Sequence, residues 1–194
     1  MYNAAVWLAK VEESTGIPVE IDWQPFLLAQ VNNDKGQEDK VWDHPGLTDG
    51  SDNTLLAHQA GLAAKRQGKE AFDSFFITLL RARHEDKKDL NDPAVIQDAA
   101  QVAGLDQARF REDLADPSLI KELADSHTEA VEEYGAFGVP TFVFPGGNAA
   151  FLKIFVPPDE QATEMYESLF NTMKEFSYLG ELKRPQPPWP HGVI

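Results

Sequence analysis

The stretch Gly135-Ala136-Phe137-Gly138-Val139-Pro140-Thr141-Phe142-Val143-Phe144-Pro145-Gly146-Gly147-Asn148-Ala149-Ala150-Phe151 decides how the chain is read. Before it, apolar residues recur every three or four positions; within it they alternate. The first period is that of a helix and the second that of a strand. Gly135 stops the preceding helix. Thr141 to Phe144 therefore reads as a strand, Pro145 to Asn148 as a turn, and Ala149 to Phe155 as a second strand, together a β-hairpin. On the residues alone Pro140 reads as a trans proline at the first position of a strand, where the ring is tolerated.

Downstream, Pro157-Pro158 starts a helix whose apolar face holds Ala162, Met165, Tyr166, Leu169, Met173 and Phe176. The tail from Arg184 to Pro190 is proline-rich and reads as extended. Upstream, residues 54 to 135 read as helical. Phe72, Phe75, Phe76 and Leu79 make one stripe; Pro93 suits a first helical turn after Asp92, followed by Val95, Ile96, Ala99 and Val102. Asp106 is placed to cap a short helix through Phe110 and Leu114. Pro117 is expected to open the longest helix, with Ile120, Leu123, Ala124, His127, Val131 and Tyr134 on one side.

At the other end, Ala4, Trp7, Leu8 and Val11 form a helical stripe over residues 4 to 15, stopped by Gly16, with Asn3 the only residue in reach of a cap. Val19-Glu20-Ile21-Asp22-Trp23 alternates like a strand and Pro25 ends it. Residues 32 to 53 read as a long loop. The order is helix, strand, helical block, hairpin, helix. A compact sheet wants one more strand between its halves.

Composition excludes several classes. Thirty-two Asp and Glu against 17 Lys and Arg give a net charge of −15 and no basic stripe, which argues against nucleic acid and against an anionic membrane surface. No apolar run reaches the ~18 residues of a membrane span. There is no cysteine, so this chain offers no disulfide, thiolate nucleophile or cysteine zinc site. The five histidines form no HxxxH or HExxH pair, and neither metal nor cofactor is expected. Met1 to Ala4 lacks the basic flank of a secretion signal, and the expectation is a soluble cytoplasmic protein.

The segment Gly138-Val139-Pro140-Thr141-Phe142, after a helix ending at Gly135, resembles the cis-proline loop of DsbA-like thioredoxin-fold proteins. Ile21 to Phe26 ahead of Val31-Asn32 resembles the second strand and its exit in the FrnE and 2-hydroxychromene-2-carboxylate isomerase groups. Residues 54 to 135, with Pro93 and Gly104-Leu105-Asp106, resemble their helical insertion, and Glu181 to Pro185 is similar to the tails of some relatives. The resemblance spans nearly the whole chain. It implies an α/β, thioredoxin-like fold with a large all-helical insertion: residues 1–53 and 136–194 as the thioredoxin-like domain, 54–135 as the insertion. It also implies a cis Val139–Pro140 bond. Relatives open with a strand and a Cys-x-x-Cys, or a serine, at the first helix. Here the first helix starts at about Met1, so no catalytic residue carries over. The first strand, central in the sheet, is expected to come from upstream residues, with another copy or the tail as the alternatives.

The function so implied is that of a FrnE-type oxidoreductase whose thiol segment is missing from this chain. The alternatives are a redox-inactive peptide- or partner-binding module and a glutathione-linked isomerase or transferase of the 2-hydroxychromene-2-carboxylate isomerase or kappa type. Val139 and Pro140 are the substrate-binding candidates; the partners implied are an extended peptide or a small thiol at that loop, and a homodimer is compatible with it. Other residues read as structural. His127 on its apolar stripe suits a hydrogen-bonded core histidine better than a base. His44 and His58 suit the surface. Trp7 and Trp23 suit packing rather than a ligand pocket, whereas Trp42 in a polar loop has no ready explanation. Glu12-Glu13 and Glu132-Glu133 read as solvated helix faces.

Overall fold

The computed structural model describes residues 1–36, 38–44 and 55–183. The chain divides into two compact units, one made of 1–23 with 131–194 and the other of 24–130. The segment 24–44, grouped by the sequence reading with the thioredoxin-like part, belongs to the second unit. The expected boundary at 53/54 and the proline-rich tail at 184–190 lie outside the described residues.

In the first unit, helix α1 (Tyr2–Thr15) ends at Gly16, whose φ of 66° is left-handed and whose N–H donates to Glu12 O at 2.8 Å. Asn3 is not its cap. It lies inside the helix, and its side-chain amide donates instead to Ile154 O. The hairpin is β1 (Thr141–Val143) paired antiparallel with β2 (Ala149–Phe151), Thr141 facing Phe151 and Val143 facing Ala149. The second strand is shorter than the expected 149–155. Leu152 N–H still donates to Pro140 O, but Pro140 has no N–H to return a bond, so the ladder closes there. The last helix, given the label α8 (Asp159–Glu175), begins after Pro158. Its 17 residues make it longer than the helix that follows Pro117.

Residues 19–23 depart most from the expected strand. Val19, Ile21 and Trp23 turn half-buried toward the core and Glu20 and Asp22 turn outward, so the alternation is real. Yet the segment joins no ladder; the sheet of the described residues has two strands. A strand is defined by a ladder with its neighbour, and 19–23 carries the alternation without the ladder. Trp7, Leu8, Val11, Phe142, Phe144 and Ala162 form the core of this unit, with Phe170 and Tyr166 packed against it. Trp7 is fully buried, and its indole N–H donates to Ala162 O at 2.9 Å.

The second unit is helical: α2 (Leu28–Val31), a 3-10 turn (Val41–Asp43), α3 (Leu55–Lys65), α4 (Lys69–His84), α5 (Pro93–Val102), α6 (Gln107–Leu114) and α7 (Ser118–Glu132), of which residues 131 and 132 are assigned to the first unit. Its starts follow the sequence. Asp92 accepts from Ala94 N–H at 2.8 Å with Pro93 in the first turn, and Asp106 accepts from Ala108 and Arg109 N–H. Phe75, Ile96, Phe110, Leu119 and Leu123 fill the core. Arg66, just beyond α3, holds Asp116 at 2.8 Å and Asp113 at 3.4 Å, tying that end of α3 to α6 and the α6–α7 turn.

Candidate functional site

The cis-proline loop is built by four adjacent devices. Gly135, at φ 63°, ends the path out of α7 and donates its N–H to Val131 O. The Val139–Pro140 peptide is cis. The Thr141 hydroxyl donates back to Gly138 O at 2.8 Å, closing the loop on itself. Gly138 is buried, and a Cβ built on it would stand 3.0 Å from Cε2 of Phe151. The last two contacts were not read from the sequence. The small residue ahead of Val-Pro is the one signal that could have suggested a close approach.

The hydrogen-bond parity of the hairpin defines an open edge. Leu152 N–H donates to Pro140 O at 3.1 Å and Phe144 N–H to Asn148 O at 2.8 Å. Pro140, Phe142 and Phe144 thus aim their main-chain groups at β2, because alternate residues of an antiparallel strand face opposite edges. Thr141 and Val143 aim theirs the other way, and no strand among the described residues pairs along that edge. Val139, partly exposed, stands at its head, and Pro140 is buried beneath it. The faces of the hairpin differ as well. Phe142 and Phe144 enter the core, while Val143 and Phe151 are exposed, with Phe137 65% exposed and its ring 5.0 Å from that of Phe151.

This geometry yields a test of the loop. Gly138→Ala pushes the Phe151 ring aside by a few tenths of an ångström. That ring is 38% exposed, so the expected cost is within about 1 kcal/mol by thermal unfolding, with shifted Phe151 ring signals in NMR. A loss of several kcal/mol would mean that the ring is held in place.

The remaining candidates lie elsewhere. His127 is 4% exposed and sits in the helical unit, where its Nδ1 accepts from Leu27 N–H at 3.2 Å. Burial lowers its pKa, and Lys40 lowers it further. Trp42, the unexplained aromatic, stacks obliquely on His127 with ring centroids 5.4 Å apart, and Lys40 Nζ lies 5.5 Å from the Trp42 ring. His58 is not a surface residue; it is largely enclosed, and burial takes its pKa down to about 4, with repulsion from His127 adding to the effect. His44 is exposed and 3.2 Å from Asp39. Trp7 belongs to the core and Trp23 packs on it. Among the described residues no group of three or more ligating side chains is placed to hold a metal, and no helix is long and apolar enough to cross a membrane.

None of the curated proteins compared with the chain matches it. The profile of the DSBA-like thioredoxin domain matches residues 4–166, most of the 194. The match takes in α1, the helical unit, the cis-proline loop, the hairpin and the start of α8, and on that extent the chain belongs to the DSBA-like thioredoxin domain family.

Proposed function

We propose that the chain holds extended peptide along the open edge of β1, with the Val139 main chain at its head, as the substrate-presenting part of a FrnE-type thiol–disulfide oxidoreductase. The observation that carries this reading is the parity of the hairpin. Thr141 and Val143 turn N–H and C=O groups to an edge without a partner strand among the described residues. Such an edge gives affinity to any extended backbone, and neighbouring pockets give selectivity. The reacting sulfur is not among these 194 residues, which contain no cysteine; in this reading it belongs to a thiol segment outside them. The proposal includes a cytoplasmic location, where thiols stay reduced.

The same composition favours a second reading, in which the loop binds and nothing is oxidised or reduced. Intact mass of the protein made from its own gene separates the two: a product with a cysteine pair favours the oxidoreductase, and one without favours the binding module.

The test of binding is titration of the chain with a short, unstructured peptide rich in Val, Thr and Lys, whose positive charge suits a protein of net charge −15. Amide signals of Val139, Thr141 and Val143 are expected to shift together. Affinity should be weak, since the peptide must be ordered on binding. Unmoved signals at these three residues, with shifts elsewhere, would remove the loop from the function.

A further inference from the structure

We propose that His127 is a proton-operated clasp that holds the segment 25–43 against α7 when neutral and releases it when charged.

The contact is specific in its protonation state. Leu27 N–H donates to Nδ1 of His127 at 3.2 Å in a buried setting. An imidazole nitrogen that accepts must be unprotonated, so the neutral ring here carries its hydrogen on Nε2. Protonating Nδ1 sets one donor against another and leaves the Leu27 N–H without its acceptor. Leu27 is itself fully buried, so water does not readily replace the lost partner.

The surroundings oppose the charge from each side that packs on the ring. Phe26 lies on it with centroids 4.6 Å apart, and Trp42 lies against it from the 3-10 turn. Lys40 precedes that turn and His58 reaches in from α3; both are cationic or able to become so. A cation over Trp42 could gain from the ring face. Lys40 already occupies that role at 5.5 Å, and a second positive charge would meet its repulsion. Among the described residues, no carboxylate is one of the groups that set the titration of His127.

The segment held by the clasp is braced within itself. Gln30, 1% exposed, accepts from Val41 N–H at 2.9 Å and donates to Asp39 O, and Asn33 also donates to Asp39 O. It can therefore leave α7 as a body, turning near Pro25, whose carbonyl is kept by Ser126 Oγ at 2.9 Å.

The sign follows from linkage. His127 titrates below its ordinary 6.5 when closed and near 6.5 when open. The closed state is therefore at full strength above about 6.5 and weakens as pH falls toward the lowered value. His58 stays neutral over most of that range and takes up its proton near about 4.

Amide hydrogen exchange tests this on the full chain. After correction for intrinsic rates, protection at Leu27 should fall by up to about tenfold per pH unit below about 6.5, while protection at Phe75 in the α4 core stays level. His127→Asn, which keeps an acceptor near the Nδ1 position but cannot titrate, should make the Leu27 profile flat. Protection at Leu27 that ignores pH, or falls equally in the variant, would overturn the proposal. The His127 ring proton signals give a second measurement on the unaltered protein: a midpoint at or above 6.5 would overturn it as well.

Discussion

Incubated with insulin and dithiothreitol, the purified 194-residue chain should leave the rate of insulin reduction at that of a control without protein. Disulfide exchange runs by thiolate attack on a disulfide sulfur through a mixed disulfide, and no side chain of this sequence supplies a thiolate. The histidines offer no substitute, because an imidazole cannot form that intermediate. Turnover above the control, in protein shown free of contaminating reductase, would contradict this expectation.

The largest stability effect is expected at Trp7. Its side chain is fully buried, its N–H is bonded to Ala162 O, and Tyr166 and Phe170 meet its ring edge-on at centroid distances of 6.0 and 5.9 Å. It joins α1 to α8 across the core that the hairpin also uses. Trp7→Ala removes the ring and leaves a cavity between two helices, at a cost of about 3–5 kcal/mol. Against a typical domain stability of about 5–15 kcal/mol, much of the first unit's margin would go. Trp7→Phe keeps an aromatic ring and loses the donor, and should cost markedly less. Denaturant unfolding followed by far-UV circular dichroism measures both. A Trp7→Ala variant within about 1 kcal/mol of the parent would show that the α1–α8 contact contributes little.

What was legible in the sequence was whatever depends on near neighbours. Asp92 with Pro93 and Asp106 with Gln107 mark helix starts, because a carboxylate caps amides two or three residues on. Gly16 and Gly135 mark stops. The hairpin followed from alternation and a Pro-Gly-Gly-Asn turn. What depends on distant partners was harder. Alternation at 19–23 foretold which side chains face the core, but not that the backbone would lack a ladder, since pairing is a property of two segments. Leu28–Val31 was missed because four residues give too little periodicity to read. Trp42 looked unexplained in a polar loop because its partner, His127, lies 85 residues away on α7.

At the candidate site, Val139 and Pro140 came from a motif, whereas the reason an edge is open beside them came from two main-chain hydrogen bonds that no local pattern encodes. His58 was misplaced for a related reason. Its own helix shows a run of small apolar residues, and the enclosure that lowers its pKa comes from packing that no local pattern encodes.

The division of the chain has a consequence for its synthesis. The helical unit is contained within residues 24–130 and its two ends are fastened to each other, Pro25 to Ser126 and Leu27 to His127. Every residue of that unit has left the ribosome before α8 emerges. Helix α1 emerges earlier but must wait, because Trp7 finds its partner Ala162 only 155 residues later. Throughout that interval the apolar face that α1 turns to α8 lacks that partner. Transiently exposed faces of this kind are where misassembly begins, so α1 is the segment of this protein with most to gain from a chaperone during translation.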